Sequence, residues 1–166
     1  MMGAGKSSVG RLLQRRTGLA RFDTDELVAA EFGIPVPEIF AKHGEERFRD
    51  AETDVLRKLF LPYPTIIVTG GGIVLRKENV ALLKRLGTIV WLAADEATLF
   101  ERASRRADRP LLQTGNPRAA FSDLLRKRRS LYAAAADFEV DTSRLSHDEI
   151  ADEILDKIDK LAVTTR

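Results

Sequence analysis

Met1-Met2-Gly3-Ala4-Gly5-Lys6-Ser7-Ser8 is the stretch whose reading decides the fold. Gly5, Lys6 and Ser7 fill the last three positions of the phosphate-binding pattern G-x-x-x-x-G-K-S/T, and Gly3 adds a second permissive position. In that pattern backbone N–H groups wrap a triphosphate, the lysine reaches the β and γ phosphates, and the hydroxyl reaches Mg²⁺. The helix that follows points its free N–H groups at the anion. The first glycine of the pattern would fall one residue before Met1, and the strand that feeds such a loop has no counterpart here.

Outward from the loop, Ser7 to Arg16 carries Val9, Leu12 and Leu13 at helical spacing, with Gly18 as a stop. Leu19 to Phe22 reads as a strand that ends in Asp23-Thr24-Asp25, followed by a helix to Phe32. In an open α/β sheet ligands bind at the C-terminal ends of strands, and residues two apart on an extended segment point the same way. Asp23 and Asp25 are therefore expected to face one site. Helical stretches follow from Pro37 and from Glu45 to Phe60, with Gly44 as the interruption. Arg49 and Glu52 stand three apart on the second, which taken alone predicts a surface ion pair of little weight.

Thr65-Ile66-Ile67-Val68-Thr69 is a continuous β-branched run, expected as a parallel strand covered on both faces. Three glycines, Gly70 to Gly72, follow it, and three together imply a tight turn or a backbone brought close to something. Asn79 to Arg85 is a short helix, Thr88 to Leu92 a second buried strand, and Asp95 to about Arg105 a further helix. Arg102, Arg105, Arg106, Arg109 and the Gly/Asn/Pro stretch after them suggest a flap that carries cations over phosphates. Pro117 to Ala136 is helical, Phe138 to Asp141 a last strand, and Ser146 to Glu149 a capping box ahead of an apolar helix face at Ile150, Ile154, Leu155, Ile158 and Leu161. His43 and His147 lack metal-ligand spacing and read as exposed polar positions.

Composition limits the classes. At 166 residues and 44% hydrophobic the chain is the size of one domain, and 27 basic against 25 acidic side chains give no broad footprint for nucleic acid or an acidic membrane. Zero cysteines exclude disulfides and cysteine-ligated zinc. No apolar run reaches membrane-spanning length and no secretion signal opens the chain, so the cytoplasm is the expected compartment. Alternating strands and helices behind a P-loop predict a three-layer α/β P-loop fold with a parallel sheet.

Taken together, MGAGKSSVG (Met2 to Gly10), FDTD (Phe22 to Asp25), EIFAKHGEERFRDAE (Glu38 to Glu52), GGG, RPLL (Arg109 to Leu112), RRSLY (Arg128 to Tyr132) and VDT (Val140 to Thr142) resemble the shikimate kinase family in order and spacing. The resemblance implies transfer of the ATP γ-phosphoryl group to the 3-hydroxyl of shikimate, in one domain (1–166). Its lid would span about 103–117 and its shikimate-binding segment about 25–60. It implies ATP contacts from Gly3, Ala4, Gly5, Lys6, Ser7, Ser8, Arg102 and Arg109, with Mg²⁺ held by Ser7 and, through water, by Asp23. Asp25 would bind shikimate hydroxyls and orient or deprotonate the nucleophile, with Lys6 and Arg109 as the other catalytic groups. Arg49 and Arg128 would grip the substrate carboxylate, Glu52 would brace Arg49, and the Gly70 to Gly72 backbone would bind hydroxyls. A monomer with no nucleic-acid or membrane partner is the family expectation.

Two departures stand out: Ser130 where the family often has proline, and Ser143 to His147 in the segment that packs on adenine in relatives. The family sheet has five strands, of which the first is missing here. That strand would bury about three or four side chains at ~1.5–3 kcal/mol each, comparable with a domain's whole stability of ~5–15 kcal/mol. Met1 is accordingly expected to be an internal methionine, and a chain beginning there to fold poorly. Two other readings share the loop: a different small-molecule kinase acting on gluconate or a nucleotide, against which Arg49, GGG and Arg128 argue, and a catalytically silent nucleotide-binding protein, against which Lys6, Asp25 and Arg109 argue.

Overall fold

The phosphate loop runs straight into the first helix, α1 (Lys6–Thr17), which Gly18 ends in a left-handed conformation, its N–H bonded to the Gln14 carbonyl. The molecule is described by a computed structural model covering residues 1–105 and 115–164. After α1 come β1 (Ala20–Asp23), α2 (Thr24–Phe32), α3 (Val36–Lys58), β2 (Thr65–Val68), a 3₁₀ turn (Ile73–Leu75), α4 (Lys77–Leu86) and β3 (Val90–Ala93). α5 (Glu96–Ser104), α6 (Pro117–Ala135), β4 (Phe138–Asp141) and α7 (His147–Thr164) complete the order. This is the expected α/β alternation.

The strands form two parallel pairs. Ala20 to Asp23 lie beside Thr65 to Val68, and Val90 to Ala93 beside Phe138 to Asp141. Among the described residues no ladder joins β2 to β3. The apolar run of β2, expected to be covered on both faces, is fully buried only at Val68. Among the described residues β2 is paired along one edge, to β1. Helix α1 packs on β1, β2 and α7, while α3 packs on α2 and α4.

Helix α3 kinks where Gly44 takes φ 79° and ψ 169°, a conformation that costs glycine nothing and would strain other residues. The single long helix seen here thus contains the break predicted at that position. Two cores result. Met1, Met2, Ala4, Val9, Leu92, Leu99, Phe121 and Val140 belong to the larger, and Val28, Ile39, Phe48, Ala51 and Val55 form a smaller one between α2 and α3. The capping box also forms: the Ser146 N–H and hydroxyl donate to Glu149 Oε2 at 2.8 and 2.7 Å, and the Glu149 N–H donates back to Ser146 Oγ at 3.3 Å. On α7, Ile150 and Ile154 are buried whereas Ile158 and Leu161 are exposed, so its apolar face is used only along its first half.

Candidate active site

Gly3 has φ 80°, and a Cβ there would collide with the main-chain carbonyl of Leu99 on α5. The loop therefore sits closer to α5 than any side chain would allow. Gly5, at φ 83°, turns the chain into α1, whose first turn carries no acidic side chain. No acid of that turn offsets the positive dipole end of the helix. Lys6 folds back so that Nζ donates to the Met1 carbonyl at 2.8 Å. Ala4 is 1% exposed and, unlike Gly3 and Gly5 on either side of it, does not line the cavity.

Asp23 ends β1 and caps α2: its Oδ1 accepts the N–H of Asp25 at 3.1 Å. The expectation that both aspartates lie on one extended segment is corrected, because Asp25 already belongs to the first helical turn. Both nevertheless reach the same cavity, Asp23 from the strand end and Asp25 from the helix start. Burial pushes the Asp23 carboxyl above its usual range, against the N–H bond from Asp25. Arg21 on β1, which the sequence reading passed over, lies 3.5 Å from Asp23 Oδ2 and bonds Glu26 on its other side. Arginine alternating with aspartate on a strand was the signal that could have found it.

The Arg49–Glu52 pair is a second correction. Glu52 is 0% exposed and Arg49 7%, so this is a buried pair rather than a surface one. Helical spacing brings them together, but only the packing of α3 under the glycine turn excludes water. Arg49 Nη1 donates to Glu52 Oε2, and its Nε and Nη2 donate to Glu45 Oε1 at 3.2 and 2.9 Å. Phe48 and Phe40 lie beside the guanidinium at 5.2 and 5.9 Å from ring centre to Cζ. Burial raises the Glu52 carboxyl, opposed by the Arg49 charge.

The triple glycine makes this arrangement possible. A Cβ on Gly72 would overlap the Arg49 guanidinium, and one on Gly70 would sit 2.5 Å from Asp25 Oδ1 and 3.0 Å from Glu52 Oε1. Of the two sequence alternatives, close approach is the one realised; none of the three glycines has a positive φ. Gly70 N–H donates to Thr24 Oγ1 at 3.2 Å, which ties the turn to the aspartate segment. From α6, Tyr132 Oη donates to the Gly71 carbonyl at 2.6 Å and Arg128 Nη1 approaches it at 3.5 Å. Arg128 is 6% exposed.

At the other end, Arg102 on α5 donates to the Thr142 carbonyl at 2.9 Å and to its hydroxyl at 3.2 Å, while Thr142 itself is pinned to the Ala93 carbonyl. The VDT stretch thus anchors an arginine at the cavity wall. His147 is exposed, as expected, yet it opens onto the cavity: its Nε2 is 3.7 Å from where a Cβ on Gly5 would stand. Arg109, with the rest of the RPLL stretch and most of the flap, lies outside the described residues.

These walls enclose about 650 Å³. Gly3, Gly5, Lys6, Ser7, Ser8 and Arg102 line one part, and Asp25, Arg49, Gly70 to Gly72 and Arg128 another. Val36, Pro37, Phe40 and Phe48 add an apolar side that the sequence reading had not assigned. No group of three or more His, Cys, Asp or Glu among the described residues could hold a metal. Ser7 and Asp23 both line the cavity.

A phosphate-loop sequence at a helix start, parallel strands flanked by helices, and an arginine-lined cavity at the strand ends define the class of P-loop small-molecule kinases. The shikimate kinase family model matches residues 2–159. The chain is 42% identical over 161 residues to a shikimate kinase of Thermodesulfovibrio yellowstonii, covering 97% of this chain and 92% of that one. It is 42% identical over 155 residues to a shikimate kinase of Nitrobacter winogradskyi, covering 93% and 72%. Its structure is similar to that of a shikimate kinase from Acinetobacter baumannii in complex with shikimate, with a TM-score of 0.88, 36% identity, and 95% and 88% of the two chains covered. The chain belongs to the shikimate kinase family.

Proposed function

We propose that the protein phosphorylates shikimate at its 3-hydroxyl, giving shikimate 3-phosphate and ADP, a step of chorismate and aromatic amino-acid synthesis. The observation that carries this reading is that the phosphate loop and the Asp25, Arg49, Arg128 and glycine-turn cluster open onto the same cavity. Shikimate is a compact anion with three hydroxyls. Guanidiniums suit its carboxylate, a carboxylate acceptor suits its hydroxyls, and the apolar side suits its ring.

In this reading Gly3 to Ser8 and Lys6 hold the triphosphate and Arg102 the adenine. Arg49, braced by Glu52, and Arg128 hold the substrate carboxylate, and the Gly70 to Gly72 backbone takes hydroxyls. Asp25 accepts the hydroxyl proton as the oxygen attacks the γ-phosphorus and the bond to the bridging oxygen breaks, leaving the electron pair on ADP. Ser7 and Asp23 would hold Mg²⁺, which supplies neutralisation of phosphate charge when bound. Alignment and charge neutralisation are the main demands of phosphoryl transfer, and Lys6, the α1 N-terminus and Arg109 meet the second. The chain acts as one domain, with the substrate segment at about 25–60 and the lid at about 103–117.

Coupled ADP release with shikimate, gluconate and CMP in parallel tests the assignment. Turnover with shikimate alone is expected; turnover with gluconate or CMP at comparable kcat/KM would overturn it.

A further inference from the structure

Arg49 is held by two carboxylates of different character. Glu52, fully buried, takes Nη1, and Glu45, one turn earlier on α3 and 49% exposed at its side chain, takes Nε and Nη2 through a single oxygen. Phe48 and Phe40 lie beside the guanidinium and a Cβ on Gly72 would overlap it, and an incoming anion hydrogen-bonds along its edges. Nη2 belongs to both edges that could take a two-oxygen anion without Nη1 acting alone, and Glu45 holds it at 2.9 Å.

The cavity as a whole is cationic, with Lys6, Arg49, Arg102, Arg105 and Arg128 against Asp23 and Asp25, so the competition is local to the Arg49 guanidinium, which both Glu45 and Glu52 hold. Glu52 has no route to water, whereas Glu45 is half exposed and can swing out by rotating its own side chain.

We infer that Glu45 is a built-in competitor for the substrate carboxylate, which displaces it from Arg49 and binds more weakly because of it. The inference rests on the reading of Arg49 as the carboxylate clamp. Glu45 then sets substrate affinity without touching the reacting atoms, so its effect falls on KM and leaves kcat alone. Exposed ion pairs are worth ~0.2–1 kcal/mol. Glu45→Gln, and as a second variant Glu45→Ala, should therefore lower the shikimate KM and the calorimetric Kd by about 1.4- to fivefold.

The experiment measures shikimate KM, kcat, ATP KM and shikimate Kd for wild type, E45Q, E45A, R49K and E38Q. Glu38 forms a similar exposed pair with Lys42 at 2.9 Å on the same helix, neither residue lining the cavity, and E38Q should change nothing. Tighter shikimate with unchanged kcat and ATP KM in both Glu45 variants supports the inference. Unchanged or weaker shikimate binding in E45Q and E45A, with R49K weakened at least tenfold, makes Glu45 a bystander or a brace: the inference falls and the clamp stands. Normal shikimate KM in R49K removes the clamp itself, and the inference with it.

Discussion

Replacing Gly72 with alanine places a Cβ where the Arg49 guanidinium already lies. Glycine 72 has φ −92° and ψ −4°, which alanine adopts freely, so the backbone has no reason to move. The side chain must yield. Carbon contacts settle at ~3.5–4.0 Å, so the guanidinium has to retreat by about 1–1.5 Å. That shift keeps Glu52 within reach, and the fold should lose little. The clamp loses its alignment, and a charge-assisted hydrogen bond to a substrate is worth ~1.5–3 kcal/mol. At 1.4 kcal/mol per decade, kcat/KM for shikimate should fall roughly ten- to a hundredfold, mostly through KM. Coupled ADP release with shikimate varied at saturating ATP gives the first quantity, and thermal unfolding checks that Tm moves by no more than a few degrees. A normal shikimate KM in a folded G72A protein would refute the argument, because it would mean either that Arg49 does not hold the substrate or that the turn relaxes freely.

Other perturbations separate the remaining parts of the site. Asp25→Asn should lower kcat by at least about a hundredfold while ATP binding persists, in line with the ~10²–10⁴ contributed by a positioned base; near-normal kcat would take Asp25 out of its role. Gly3→Ala meets main chain at Leu99 rather than a yielding side chain, and also a positive φ, so it should cost about 1–3 kcal/mol of stability, read as a lowered denaturation midpoint. An unaltered midpoint would show that the loop can open away from α5. His147→Ala should raise the ATP KM severalfold with shikimate KM unchanged; equal effects on both substrates would place His147 in the fold rather than at the nucleotide.

Much of the substrate pocket was readable in the chain, for reasons that differ residue by residue. Gly5, Lys6 and Ser7 act through contiguous backbone, so their geometry is local and their spacing alone discloses it. The capping box at Ser146 and Glu149 and the break at Gly44 are local in the same sense. Arg49 and Glu52 were visible as neighbours on one helix, but their worth was not: an ion pair three residues apart has the same spacing in water as under a glycine turn. Phe40, Phe48 and His147 looked like ordinary core or surface positions, since a hydrophobic or an exposed residue says nothing by itself about which cavity it borders. Arg21 was hidden for a related reason, its partner being set by strand alternation and a helix cap together.

The sequence by itself determined the phosphate loop, the α/β alternation, the parallel strands and the chemical types needed for a small hydroxylated anion. These follow from patterns a few residues long, where covalent geometry limits the outcomes. Tertiary structure decided the rest: that Gly70 and Gly72 are small because Asp25, Glu52 and Arg49 crowd against them, that Glu52 is buried while Glu45 is not, and that among the described residues β2 and β3 are each bonded along one edge. Such facts depend on which distant segments exclude water from a given side chain. Burial is a property of the whole packed molecule, and no local spacing encodes it.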